Sequence, residues 1–228
     1  MNVFVTGTDT DCGKTVISCA LMAIAARQGH TVAGMKPIAA GAVLTADGLR
    51  NDDALAIQQA CSKEIPYALI NPVCYPEPTA PHLQAPSGVR PAKGGSDPIN
   101  TTLAAYQQIS TNADMVIVEG AGGWRVPLSD TTDMADLCLQ LQLPVILVVG
   151  MRLGCINHAL LTVEAIQNSG ARLVGWIANQ IDPEMMALEE NIGSLKARIE
   201  APLLGFVPWT NNIKAESIEK HLNLPKLL

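Results

Sequence analysis

Positive charge is scarce in this chain. Its 228 residues carry 15 Lys and Arg against 21 Asp and Glu, a formal net charge of −6, and charged residues make up only 16% of the total. A phosphate backbone is gripped by concentrated Lys and Arg, so nucleic acid is excluded as a main partner. Long apolar runs are missing too: stretches such as residues 145–149 have strand length, and the amino terminus enters a strand with no basic leader. No signal peptide, no membrane contact and a cytoplasmic location are therefore expected. The six cysteines, at 12, 19, 61, 74, 138 and 155, contain no C-x-x-C pair, and no histidine stands at zinc-finger spacing from them, which reads as reduced thiols. The first turn lacks G-x-G-x-x-G, which argues against a dinucleotide-dependent oxidoreductase. There is no internal repeat and no obvious catalytic triad.

What is present is apolar: 48% of residues are hydrophobic, enough at this length for one large α/β domain. Strand-like runs recur at residues 3–6, 31–35, 115–118, 145–149, 173–178 and 203–207. Helical patterns lie near 14–28, 52–61, 99–111, 133–142, 156–169, 184–199 and 215–221. Continuous apolar strands alternating with helices predict a doubly wound, mainly parallel sheet covered on both faces. Residues 66–98 hold eight of the fifteen prolines and cannot form a regular helix, so they read as a long excursion from the sheet.

The densest signal is Gly7-Thr8-Asp9-Thr10-Asp11-Cys12-Gly13-Lys14-Thr15, directly after the apolar run at 3–5 and before an apolar helix. A strand that breaks into such a loop and enters a helix presents backbone N–H groups to phosphate oxygens at the positive end of the helix dipole. Lys14 then meets β/γ-phosphates, and the Thr15 hydroxyl meets Mg²⁺. The strict phosphate-loop pattern asks for Gly where this chain has Thr8, one step after Gly7.

Ligands of an open parallel sheet gather at the carboxyl ends of its strands, and here those ends carry chemistry or glycine. Glu119 follows four apolar residues and precedes Gly120-Ala121-Gly122-Gly123, which places a carboxylate at the tip of a central strand where backbone can approach a ligand. Lys36, beside Pro37, ends the second strand; it reads either as a snorkelling surface residue or as a functional cation. Asp52 and Asp53 open a helix, either as caps or as ligands. Gly154-Cys155-Ile156-Asn157-His158 leads into a helix whose free N–H groups suit an anion, with Asn157 otherwise a cap. Asn179 closes a strand as a turn residue or as a reader of a base edge. His82 and His158 read as structural.

Six blocks in order resemble the dethiobiotin synthetase family. They are residues 7–15, Lys-Pro-Ile-Ala-Ala-Gly at 36–41, Leu-Arg-Asn-Asp-Asp-Ala at 49–54, Glu-Pro-Thr-Ala-Pro-His at 77–82, Val-Glu-Gly-Ala-Gly-Gly-Trp at 118–124, and Leu-Gly-Cys-Ile-Asn-His-Ala at 153–159. Pro-Leu-Leu-Gly-Phe-Val-Pro-Trp at 202–209 makes a seventh. The resemblance implies a homodimeric P-loop NTPase fold and an ATP-dependent ligase that joins CO₂ to the two amines of 7,8-diaminononanoate. Its implied nucleotide contacts are Asp11, Cys12, Gly13, Lys14, Thr15, Val16, Asp53, Glu119, Gly120, Ala121, Gly122, Asn179, Gln180, Pro208, Trp209 and Thr210. Mg²⁺ falls to Thr15, Asp53 and Glu119, and Lys36 with Lys14 becomes catalytic. Substrate falls to Thr10, Lys36, Ala40, Gly122 and the anion site Gly154, Cys155 and Asn157, which in the family comes from the partner subunit. Ala40 stands where the family commonly has serine, removing a hydroxyl expected to touch substrate. The alternative is a partition or septum-positioning switch ATPase, but the extra lysine those carry near the start of the phosphate loop is missing from Gly7-Thr8-Asp9.

Overall fold

The computed structural model describes residues 2–84, 97–211 and 215–223. Along the chain the elements are β1 (Val3–Gly7), α1 (Lys14–Arg27), β2 (Val32–Met35), β3 (Ile38–Ala39), β4 (Val43–Thr45), β5 (Gly48–Arg50) and α2 (Asp52–Gln59). Then come α3 (Tyr67–Ile70), β6 (Val73–Cys74), α4 (Pro81–Gln84), α5 (Pro98–Ser110), β7 (Met115–Gly123), α6 (Met134–Leu141) and β8 (Val145–Met151). The chain closes with α7 (Cys155–Asn168), β9 (Leu173–Gln180), α8 (Leu188–Lys196), β10 (Leu203–Val207), α9 (Ala215–Ile218) and a 3₁₀ turn at Glu219–His221.

Six strands form one sheet in the order β10-β9-β8-β1-β7-β2, and each neighbouring pair is parallel. Strand side chains alternate between two apolar faces, because the pleat sends successive residues to opposite sides. Val3 and Val5 pack with α1 and α2 through Ile17, Leu21 and Ile57, whereas Phe4 joins Val116, Val118 and the residues of α5 and α6. Leu147, Val149 and Trp176 meet α7 and α8. Both faces are therefore covered, which is why these strands are apolar without a polar side. α1 is buried at Ile17 to Met22 without interruption because it packs not only on the sheet but also on α2, α9 and the closing turn.

Parallel pairing puts every strand's carboxyl end on one edge of the sheet. The chain leaves β1 toward β2 on one side and leaves β8 toward β9 on the other, so the topological switch point of the sheet lies between β1 and β8.

Several expectations change. β7 runs on to Gly123, so Glu119 lies within a strand and not after one, and β7 is next to the edge, with β1 and β8 at the centre. The helix expected from 184 begins at Leu188, because residue 187 takes a left-handed turn, with φ 52° at Ala187. The Pro-rich stretch is partly built: β6 pairs in parallel with β3 and the short α3 and α4 flank it, while residues 85–96 lie outside the described residues. The antiparallel hairpin β4–β5 was not expected at all.

Candidate active site

The loop between β1 and α1 is shaped by two left-handed residues, Asp11 at φ 56° and Gly13 at φ 92°. Gly7 is required for a different reason: a Cβ there would sit 2.3 Å from Cys12 Sγ, which is tucked beneath the loop. Thr8, in place of the glycine of the strict pattern, accepts a hydrogen bond from the Gly150 N–H at 3.3 Å, so its hydroxyl fastens the loop to the end of β8. Asp9 receives Arg152 from the same strand end. Lys14 Nζ donates to the Asp9 carbonyl at 2.7 Å.

Three elements separated in sequence then converge. Lys36, immediately after β2, donates to Glu119 Oε1 of β7 at 2.6 Å, to Asp53 Oδ2 of α2 at 3.1 Å and to the Gly120 carbonyl at 3.4 Å. The Thr15 hydroxyl donates to the same Glu119 Oε1 at 2.9 Å. Glu119 is fully buried, and its Oε2 has no hydrogen-bond partner among the described residues. Burial alone would lower the Lys36 pKa, but the Glu119 and Asp53 carboxylates outweigh it and hold the ammonium above its ordinary value. Partial burial would raise Asp53, and the Lys36 charge together with the Thr15 hydroxyl instead holds it below the usual carboxylate value.

Two adjoining cavities share Lys36 and Asp53 of this cluster as a common wall, while Glu119 is buried outside both linings. One, of about 310 Å³, is lined by Asp11, Gly13, Lys14, Thr15 and Val16 of the phosphate loop. The other, of about 370 Å³, is lined by Ala39, Ala40, Asn51, Ala121, Val126 and the segment Pro78–Pro81. Thr10, Lys36, Asp53 and Gly122 line both. Thr15 and Asp53 line the phosphate-loop cavity, and Glu119 Oε2 is buried beside them without a partner among the described residues; Mg²⁺ typically takes one or two carboxylates beside phosphate oxygens, so these oxygens fit the chemistry of a hard cation.

Other anticipated residues lie elsewhere. The cap of α2 is Asn51, which accepts from the Ala54 N–H, so Asp52 and Asp53 are the first helical residues and need not cap. Asn179 Nδ2 donates to the Cys12 carbonyl at 2.9 Å, leaving a buried Oδ1 without a partner among the described residues. Gln180 Oε1 accepts from the Trp209 N–H at 3.2 Å, which holds the Pro208-Trp209-Thr210 loop beside the end of β9. Gly154, Cys155 and Asn157 line neither cavity of this chain. Gly154 caps α7, Asn157 is exposed without capping it, and Cys155 points its thiol inward to within 3.9 Å of Asn191 Oδ1. The lining residues Asn51 and Pro78 to Pro81 were not picked out from sequence as site residues. The block at 77–82 carried the only signal for the latter, and asparagine before a helix is indistinguishable from a plain cap.

The parallel sheet and the phosphate loop at the head of α1 define a P-loop NTPase. The signal recognition particle receptor FtsY of Elizabethkingia anophelis superposes with a TM-score of 0.53 at 14% identity, over 94% of this chain and 60% of that one. The septum site-determining protein MinD complexed with Mg-ADP, from Pyrococcus horikoshii OT3, gives 0.53 at 14% over 91% and 82%. At such identity the likeness concerns the fold alone. A family model described as an AAA domain matches residues 1–217. The ATP-dependent dethiobiotin synthetase BioD of Xanthomonas campestris pv. campestris is 48% identical over 223 residues, 98% of this chain and 97% of that protein. That of Cellvibrio japonicus is 50% identical over 99% and 96%. The chain belongs to the ATP-dependent dethiobiotin synthetase family.

Proposed function

We propose that this protein carries out the ATP-dependent carboxylation and ring closure of 7,8-diaminononanoate with CO₂, yielding dethiobiotin, ADP and phosphate in biotin synthesis. The observation that carries the reading is the position of Lys36: its ammonium stands in the wall shared by the phosphate-loop cavity and the second cavity. CO₂ adds to one amine to give a carbamate. A carbamate oxygen attacks the γ-phosphorus, ADP leaves, and the second amine then attacks the carbonyl carbon and expels phosphate to close the urea. No protein nucleophile is needed, so catalysis rests on positioning and on charge stabilisation.

In this reading Lys36 draws together the carbamate and the transferring phosphoryl group, two anions that otherwise repel. Lys14 exchanges the Asp9 carbonyl for β/γ-phosphate oxygens, and N–H groups of residues 11–16 hold the phosphates. Thr15, Asp53 and Glu119 would hold Mg²⁺, which supplies neutralisation of phosphate charge when bound. The buried Glu119 Oε2 without a partner supports this assignment, since a buried carboxylate oxygen ordinarily has one. Asn179, through its free Oδ1, and Gln180, Pro208, Trp209 and Thr210 would surround the adenine. Gly122 would line both nucleotide and diamine and Ala121 the diamine, whereas Gly120 lies outside both cavities and meets Lys36 through its carbonyl; Thr10 would face the substrate, and Ala40 would present backbone in place of a hydroxyl.

The diamine's tail carboxylate would be met by Gly154, Cys155 and Asn157 of a partner subunit in a homodimer, consistent with their lining neither of this chain's two cavities. No described helix is long and apolar enough to cross a membrane; we place the enzyme in the cytoplasm. The test is incubation with ¹⁴C-bicarbonate, MgATP and the diamine. Acid-stable label, retained by a urea and lost by a carbamate, is expected; its absence rejects the proposal.

A further inference from the structure

Lys36 and Asp53 meet at 3.1 Å, yet they belong to elements with no ladder between them. Lys36 follows β2, the edge strand of the sheet, and Asp53 is the second residue of α2. Beside the packing of α2 on β2, where Ile57 lies against Gly34, and the backbone bond from the Lys36 N–H to the Ile70 carbonyl at 2.9 Å, a run of polar side chains spans them. Asn71 Nδ2 donates to the Lys36 carbonyl at 2.7 Å and to the Val73 carbonyl at 3.1 Å. The Tyr67 hydroxyl donates to Asn71 Oδ1 at 3.1 Å and accepts from the Asn51 N–H at 2.8 Å. Asn51 is the cap of α2, its Oδ1 receiving the Ala54 N–H and its Nδ2 reaching the Ala40 carbonyl. The Arg50 guanidinium lies 4.3 Å from the Tyr67 ring centroid and steadies the ring.

We infer that Tyr67 and Asn71 are positioning residues, which set the separation of Lys36 from Asp53 and thereby the geometry at the wall between the two cavities. Neither lines the phosphate-loop cavity or the one beside it, and the polar atoms of both are taken up by protein partners. Asn71 is buried, with both its amide hydrogens and its oxygen engaged, an expensive arrangement for a loop residue unless it defines a distance. The inference rests on the reading of Lys36 and Asp53 as phosphate- and metal-handling groups.

The experiment compares the full-length protein with Tyr67→Phe, which keeps the ring and its Arg50 contact and removes only the hydroxyl. Asn71→Leu and the double variant complete the cycle. In the labelled-bicarbonate assay kcat of Tyr67→Phe is expected to fall about tenfold, as misplacement of a charge at a reacting centre does. KM for ATP should stay within about twofold and the half-saturating Mg²⁺ concentration should rise, because the phosphate loop is untouched and Asp53 is displaced. The double variant should lose no more than the worse single one, since both cut one chain. An unchanged kcat in Tyr67→Phe, or losses that multiply, overturns the positioning role, as does a kcat that falls only in proportion to folded protein measured by near-UV circular dichroism. A parent protein that retains no acid-stable label overturns the functional reading itself, and this inference with it.

Discussion

Glu119 Oε1 receives two donors, the Lys36 ammonium at 2.6 Å and the Thr15 hydroxyl at 2.9 Å, while Oε2 of the same buried carboxylate receives none from the described residues. One carboxylate thus ties the strand, the phosphate loop and the second cavity together and keeps an oxygen in reserve.

Lys36→Leu should lower turnover by about two to three orders of magnitude and change nucleotide affinity little, since the lysine is asked to act on the transferring group. It should also destabilise the fold by about 3–5 kcal/mol, because it strands a fully buried Glu119 charge. Adding Glu119→Gln should recover most of the stability and none of the turnover. Urea unfolding and steady-state kinetics on the two variants separate these effects; a single variant as stable as the parent would show that the pair carries no uncompensated charge.

The cluster predicts a pH dependence with two separate limbs. Asp53 is held below the ordinary 3.8, so its contribution to stability is complete above that value and is lost as pH falls through the lower folded-state pKa. Lys36 is held above the ordinary 10.5, so its contribution is complete below that value and is lost as pH rises through the higher one. Unfolding free energy measured against pH should show Asp53→Asn abolishing part of the acid decline below 3.8. Lys36→Leu should abolish part of the alkaline decline above 10.5.

Asn179→Ala removes both the donor to the Cys12 carbonyl and the free Oδ1 beside the phosphate loop. Weaker ATP binding is expected, together with a reduced preference for ATP over other nucleoside triphosphates, as the acceptor proposed for the base is lost. Competition by GTP and CTP against ATP checks this. Equal profiles for variant and parent would remove Asn179 from base recognition.

Gly205→Ala would bring a Cβ to 2.1 Å from the His221 carbonyl oxygen, a backbone atom that moves only with its segment. Since Gly205 bridges to Leu222, the closing turn must lift from β10. A cost of about 2 kcal/mol or more is expected, seen as a Tm lower by about 4–8 °C in calorimetry. Below the transition KM for ATP should be unchanged, because Gly205 lines neither the phosphate-loop cavity nor the one beside it.

All six strands of the sheet were legible because each is a short apolar run, buried on both faces in the inner strands and at Leu204 and Val207 in β10, a pattern read from neighbours in sequence. The hairpin β4–β5 escaped notice for the opposite reason: its three-residue strands are exposed or half-exposed, including Val43 and Leu44, and carry no inward-facing alternation. Glu119 was read as following its strand, since a carboxylate and glycines ordinarily end one; pairing with β1, which brings Gly7 opposite Gly123, extends it. Lys14, Thr15 and Glu119 stood out by type and place, whereas Lys36 and Asp53 were open between structural and functional readings until the resemblance picked them out; the structure brings Thr15, Lys36, Asp53 and Glu119 together. Tyr67 and Asn71 were not, because their meaning lies in hydrogen bonds to backbone that sequence does not display.

Spacing along the chain determined the phosphate loop and the alternation of strand and helix, and motif order determined the family, since these depend on neighbours in sequence. Only the tertiary structure decided that residues 15, 36, 53 and 119 share one hydrogen-bonded cluster, and that residues 154, 155 and 157 stand apart from it. Strand order is the physical reason: β2 lies beside β7 and β7 beside β1, so three distant segments end at one corner, whereas the end of β8 opens on the other side of β1.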